Sequence, residues 1–226
     1  MQAARRQNLV VVTKVIVVAA SIMDKKTAWI LASSSSRRVQ LLQSIGVEFT
    51  CISAHINEYK TPPEGKKPAW VAEQNAYLKA QYVANLYPQS YVIGADTIVV
   101  LNQSVFNKPK DIEDAQHMLE QLAGHTHQVM TAVAIICKRD HLEEKFIETT
   151  DVSFDPLKPA FIKEYLSTIF PLDKAGAYAI QHPLTKTFAH FDKNGFSNIM
   201  GFPVEKFSTY LRTIKNHTKT NTKGTF

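Results

Sequence analysis

Cysteine is almost missing from this chain of 226 residues: Cys51 and Cys137 stand alone, which excludes a disulfide framework and a cysteine zinc site. Their scarcity favours a reducing compartment, so a cytoplasmic protein is expected. No Gly-x-x-x-x-Gly-Lys-Ser/Thr or Gly-x-Gly-x-x-Gly stretch occurs, which removes the P-loop and the dinucleotide fingerprint. The lack of a Gly-x-Ser-x-Gly elbow weakens a serine-hydrolase reading, and there is no repeat or heptad. Long apolar runs are absent too. Leu9 to Ala20 comes nearest, but it is interrupted by Thr13 and Lys14 and too short to span a bilayer, so no membrane partner is expected. Arg5 and Arg6 ahead of it give part of a signal-peptide pattern. The preferred reading is an N-terminal extension over residues 1–22, outside the fold, with Met23 as an alternative start.

Acids are missing from both ends. Residues 1–22 and 212–226 together carry seven basic side chains and no acid, so a formal charge of +6 for the chain leaves the body, 23–211, at −1. A near-neutral body is not a nucleic-acid-binding surface by charge, and no nucleic-acid partner is expected. What remains is ordinary for a globular domain: 45% hydrophobic and 20% charged residues, enough to bury one large core or two lobes sharing a cleft.

The chain is organised around Trp29-Ile30-Leu31-Ala32-Ser33-Ser34-Ser35-Ser36-Arg37-Arg38 and the apolar positions Leu41, Leu42 and Ile45 that follow it at helical spacing. This reads as strand, loop and helix. Hydroxyls, free N–H groups at a helix N-terminus and two guanidiniums suit an oligoanion such as a phosphate chain. A solvated serine-rich turn is the alternative. Further on, Val47 to Ile52 alternates as a strand, and a helix from Pro68 to about Leu86 places Lys79 on a stripe with Ala72, Ala76, Ala80 and Val83. A lysine there either snorkels or serves a site. Tyr91 to Leu101 puts Asp96 amid apolar strand residues, where a carboxylate needs a partner or a metal; the alternative is an Asp turning a hairpin.

Asn102-Gln103 predicts a tight turn, Asp111 to Ala123 a capped helix, and His127 to Cys137 with Glu144 to Phe154 a long strand pair. Phe161 to Ile169 reads as a helix, and Asp173 to Gln181 as a loop entering a short strand. Phe188 to Phe191 and Asn198 to Met200 are expected to complete the sheet. Pro203 starts a final helix to about Ile214, ahead of a polar basic tail over 213–226. The expected fold is α/β, a twisted mixed sheet with flanking helices and two lobes around a cleft, over residues 23–212.

Taken in order, Leu31 to Arg38, Glu58, Lys79-Ala80, Gly94-Ala95-Asp96-Thr97, Lys108-Pro109, His127 to Thr131 and Asp173 to Gln181 resemble the Maf family of nucleotide pyrophosphatases, from about Trp29 to Leu211. The resemblance implies an inosine-triphosphatase-like fold, a homodimer in many members, and cleavage of nucleoside triphosphates to monophosphate and pyrophosphate with Mg²⁺ or Mn²⁺. Arg37, Thr97 and Gln181 match the positions associated with the subgroup acting on dTTP and UTP. Asp96 is then the candidate that orients or deprotonates the attacking water while touching the metal, and Glu58 helps hold that metal. Ser33, Arg38, Lys79 and Lys108 would hold phosphate oxygens. Four positions depart from the family pattern: Ser36 replaces a usual Pro, Asn57 a frequent acid beside Glu58, His182 a usual Gly and Phe202 a usual Leu. Glu58 therefore acts without an acidic neighbour, and His182 is expected to crowd the base pocket. A non-enzymatic regulator of cell division is the competing class, and retention of Asp96, Lys79 and Lys108 together argues against it.

Overall fold

The computed structural model describes the backbone of residues 28–221 and the side chains of residues 28–213. The expected extension over 1–22 and the final residues of the expected tail lie outside the described residues. Strand β1 (Trp29–Leu31) is buried throughout and pairs in parallel with both β2 (Phe49–Cys51) and β3 (Tyr91–Leu101). Between β1 and β2 runs helix α1 (Ser36–Ser44), and between β2 and β3 runs α2 (Ala69–Leu86), so the first part of the chain is a pair of right-sized parallel crossovers. Asn102 and Gln103 then take left-handed φ values of 49° and 68° and turn β3 into β4 (Ser104–Phe106), as a two-residue hairpin requires.

Helix α3 (Ile112–Leu122) is capped by Asp111, whose side chain accepts from the Asp114 N–H at 2.7 Å. Strands β5 (Thr126–Cys137) and β6 (Leu142–Phe154) form the expected hairpin, and β7 (Ala189–Phe191) closes a seven-stranded mixed sheet of order β2-β1-β3-β5-β6-β7, with β4 paired to β3 off that path. Helix α4 (Pro159–Thr168) starts on its proline. It packs with α3, Tyr178 and Phe188 in one buried cluster, while two others lie around α2 and around Leu42, Phe202 and Phe207.

One edge of β3 is shared unequally. β1 covers it at Tyr91–Ile93 and β4 at Val99–Leu101, while β5 pairs with the other edge without a break from Val92 to Val100. The stretch between, which holds Asp96 and Thr97, faces an opening where two partner strands part. Ligands of open α/β sheets gather at such a point, beyond the carboxyl end of a parallel strand.

Three segments differ from expectation. Asn198 to Met200 is helical, as part of α5 (Phe196–Met200), because the buried Asn198 amide donates to Val129 O and Thr150 Oγ1 and Gly201 ends the turn at φ 114°. The stretch after Asp173 forms a 3₁₀ turn at Ala175–Ala177, with Gly176 at φ 69°, in place of a strand. The final helix, α6 (Val204–Asn221), runs past the expected stop near Ile214. Among the described residues, no helix is long and apolar enough to cross a membrane.

Candidate active site

Gly94 fixes the geometry on one face of β3. A Cβ there would meet Ala76 O at 2.1 Å and Ala80 N at 2.7 Å, so only glycine lets α2 lie directly on the strand. Side chains two apart on a strand share a face. The close approach at Gly94 therefore brings the polar positions of α2, Asn75 and Lys79, onto Asp96. Lys79 Nζ lies 2.6 Å from Asp96 Oδ1 and 2.8 Å from Glu58 Oε1, bridging two carboxylates. The second Asp96 oxygen accepts from Asn75 Nδ2 at 3.2 Å. Asp96 and Lys79 are both buried, whereas Glu58 is 39% exposed at its side chain. Burial alone raises the Glu58 carboxyl. The charges of Lys79, Lys108 and Arg38 outweigh it and hold the group below its ordinary value.

Thr97 points to the opposite face, toward α1 and α5. Arg38, on the first turn of α1, donates from Nε to Gly201 O at 2.8 Å, from one terminal nitrogen to Ser33 Oγ at 3.3 Å and from the other to Thr97 Oγ1 at 3.1 Å. Burial pulls this guanidinium below its ordinary pKa, and Asp96 opposes the shift; it stays charged at neutral pH. Neighbouring Arg37 projects elsewhere, donating to Asp173 Oδ2 at 2.7 Å and Asp173 O at 3.0 Å. Ser33 Oγ accepts from the Ser35 N–H at 3.2 Å, while Ser35, the cap of α1, makes no side-chain cap bond. No cap side chain takes up the first-turn N–H groups of α1, and the residues of that turn line the cleft.

A cavity of about 300 Å³ gathers these groups. Ser33, Arg37, Arg38, Glu58, Lys79, Asp96, Thr97, Lys108 and Gln181, every site residue expected from the sequence, line it. His182 does not. Its ring packs edge-on against Tyr165 with centroids 5.8 Å apart, which turns it away from the wall that Gln181 forms and removes the expected crowding. The chemistry of the donor set suits a divalent cation: Glu58 and Asp96, drawn together by the Lys79 ammonium between them, supply hard oxygens, and Mg²⁺ is commonly held by one or two carboxylates plus substrate phosphates. Among the described residues no group of three or more His, Cys, Asp or Glu gathers, so phosphate and water would complete the shell.

The family model described as Maf-like protein matches residues 28–214. The chain belongs to the Maf family. Curated relatives include the dTTP/UTP pyrophosphatase of Geobacillus sp. (strain WCH70), 41% identical over 78% of this chain and 92% of its own length. Those of Acholeplasma laidlawii and Desulfotalea psychrophila are 40% and 41% identical, over 78% and 77% of this chain and 90% and 88% of theirs. Among solved structures, a nucleoside-triphosphatase / dITP/XTP pyrophosphatase from Mycobacterium abscessus aligns at 16% identity with a TM-score of 0.38, covering 58% of this chain and 76% of that one. That likeness is too loose to bear on the fold, which rests on the sheet order itself.

Three contributors received no individual role in the sequence reading, although Asp173 and Thr131 lie in stretches that carry the family resemblance. Asn75 lies four residues before Lys79 on the same alanine stripe, and an amide buried in mid-helix was the available signal. Asp173 fixes Arg37 from 136 positions away, a pairing with no local mark. Thr131 bonds Thr97 across the β3–β5 register at 3.0 Å, and only strand pairing reveals it.

Proposed function

We propose that this protein hydrolyses nucleoside triphosphates, with preference for dTTP and UTP, to the nucleoside monophosphate and pyrophosphate. The observation that carries the reading is the Asp96–Lys79–Glu58 cluster at the open edge of β3, lining one cavity with the first turn of α1. A nucleoside triphosphate brings about four negative charges, and Arg38, Lys108, Ser33 and the first N–H groups of α1 offer them cations and donors. Asp96, paired with the Lys79 ammonium, accepts the proton of a water that attacks the α-phosphorus. As the new O–P bond forms, the bond from that phosphorus to the bridging oxygen breaks and pyrophosphate leaves with the electron pair, its charge held by Arg38 and Lys108. A divalent cation, Mg²⁺ or Mn²⁺, held by Glu58 and Asp96, would supply Lewis acidity and charge neutralisation there.

The base preference is supported by a directed hydroxyl chain. Thr131 Oγ1 donates to Asn198 O at 3.0 Å, so the 3.0 Å contact between Thr97 and Thr131 is made by the Thr97 proton. With Arg38 donating to it as well, Thr97 offers the cleft a lone pair. That matches the N3–H of uracil and thymine and opposes the N3 acceptor of cytosine, while the Gln181 amide N–H is a donor suited to a flanking carbonyl. The test is a panel of nucleoside triphosphates with separate detection of pyrophosphate and orthophosphate. Expected are pyrophosphate as product and dTTP and UTP cleaved at least ~10-fold more efficiently than CTP, ATP or GTP, a margin of about 1.4 kcal/mol. Gln181→Ala should erode that margin. Orthophosphate as sole product overturns the chemistry, and equal efficiencies overturn the base reading.

A further inference from the structure

Asn75 is 2% exposed in the middle of an 18-residue helix, a position where an amide costs stability unless its hydrogen bonds are met. Both ends of the amide are engaged. Asn75 Oδ1 accepts from the Tyr59 N–H at 2.8 Å, and Nδ2 donates to Tyr59 O at 3.0 Å and to Asp96 Oδ2 at 3.2 Å. One N–H on the acceptor side and a carbonyl with a carboxylate on the donor side allow a single orientation of the amide. The two bonds to Tyr59 imitate a strand-like bridge, and they grip a segment that has no secondary structure of its own, at the residue next to Glu58. A second hold comes from the same helix, since the Tyr59 ring packs edge-on against Trp70 with centroids 4.7 Å apart.

We infer that Asn75 is a positioning residue: it fixes the Glu58 segment to the Asp96 carboxylate, setting the spacing of the two acids before a divalent cation or nucleotide arrives. Lys79 joins the same two acids by charge, but a flexible ammonium holds no angle; the planar amide does. This rests on the reading of Glu58 and Asp96 as the acidic pair of a pyrophosphatase, yet its central readout needs no turnover.

Binding of Mn²⁺ to nucleotide-free protein, followed by electron paramagnetic resonance, is compared for the natural protein and Asn75→Ser, together with kcat and KM for UTP. Expected is a loss of about 10-fold or more in Mn²⁺ affinity and in kcat, with KM for UTP changed less than about twofold. Unaltered Mn²⁺ affinity and kcat alongside a lowered unfolding midpoint would make Asn75 a merely structural residue and overturn the inference. If Asn75→Ser does not fold, amide exchange on the natural protein decides. The Tyr59 N–H should exchange about 10-fold or more slowly than that of exposed Glu58, and equal rates overturn the proposal. A natural protein that binds Mn²⁺ in this Asn75-dependent way but releases no pyrophosphate from any nucleotide would refute the enzymatic reading and leave the positioning role standing.

Discussion

Replacing Lys79 by Met tests how the acidic cluster is held. The substitution keeps the side-chain length and removes one ammonium that lies 2.6 Å from Asp96 and 2.8 Å from Glu58. Asp96 is then left buried, with one neutral donor from Asn75, opposite a second carboxylate. Removing one partner of a buried ion pair costs about 3–5 kcal/mol. Glu58 is 39% exposed, so its share is screened by water, and the Asn75 bond offsets part of the penalty at Asp96. The expected loss is therefore about 2–4 kcal/mol, read from urea unfolding at pH 7 with an unchanged m-value. Neutralising the stranded charge in Lys79→Met/Asp96→Asn should restore stability to within about 1 kcal/mol of the natural protein, because most of the loss comes from an uncompensated buried charge and little of it from the missing contact.

Acid titration adds a sign. The folded Glu58 carboxyl titrates below its ordinary value of 4.5, so its contribution to stability is present above that pH and is lost as pH falls through the folded value. Lys79→Met removes the largest charge that lowers it, so the variant should lose less stability than the natural protein on acidification below 4.5. Mg²⁺ should also raise the unfolding midpoint of Lys79→Met more than that of the natural protein, since a cation then neutralises two unpaired acids by binding the folded state. A variant as stable as the natural protein, or one whose stability Asp96→Asn fails to repair, would refute the ion-pair account.

Asp96→Asn should retain the fold and cut pyrophosphate release by at least ~10²-fold in steady-state assays; near-normal turnover removes Asp96 from its role. Gly94→Ala forces a Cβ to within 2.1 Å of Ala76 O, so α2 must lift from β3. A drop of about 3 kcal/mol or more in stability is expected by denaturant titration, with activity lost in the fraction that still folds. Asp173→Asn releases the Arg37 guanidinium from its 2.7 Å ion pair, and a change in KM for UTP of about 3-fold or more with kcat little altered is the outcome to look for in initial-rate kinetics.

The parts of this molecule that were legible in the sequence are those whose signal is local. An eleven-residue apolar strand carrying one carboxylate, a proline or aspartate at a helix start and a two-residue turn each declare themselves within a few positions, and the structure keeps all of them. Asn198 to Met200 misled because three residues with a polar head and an apolar tail fit a strand as well as a helical turn. What separates them is the buried Asn198 amide reaching Val129 and Thr150, on strands far away in sequence. The same limit applied at His182, whose ring is drawn off the cleft by Tyr165.

The two arginines of α1 show how that limit bears on function. Side by side in sequence, they lie about 100° apart around a helix, so Arg37 reaches the Asp173 loop while Arg38 turns inward to Ser33, Thr97 and Gly201. The separate roles proposed for them, Arg37 toward the base and Arg38 toward phosphate, go with separate partners. Yet Arg38 also donates to Thr97, so the groups proposed to bind phosphate and to read the base share one hydrogen-bond network. An anion drawn to Arg38 competes for the donor that Thr97 now receives, and a Thr97 with a freed lone pair is a stronger acceptor for a base N–H. Triphosphate seating and base selection would then be coupled through a single guanidinium. The proposed preference for dTTP and UTP should accordingly weaken in Arg38→Lys, where a point charge still meets phosphate but lacks the fork that spans Ser33, Thr97 and Gly201. Slower turnover by Arg38→Lys with an undiminished margin between UTP and CTP would show that the two functions are independent.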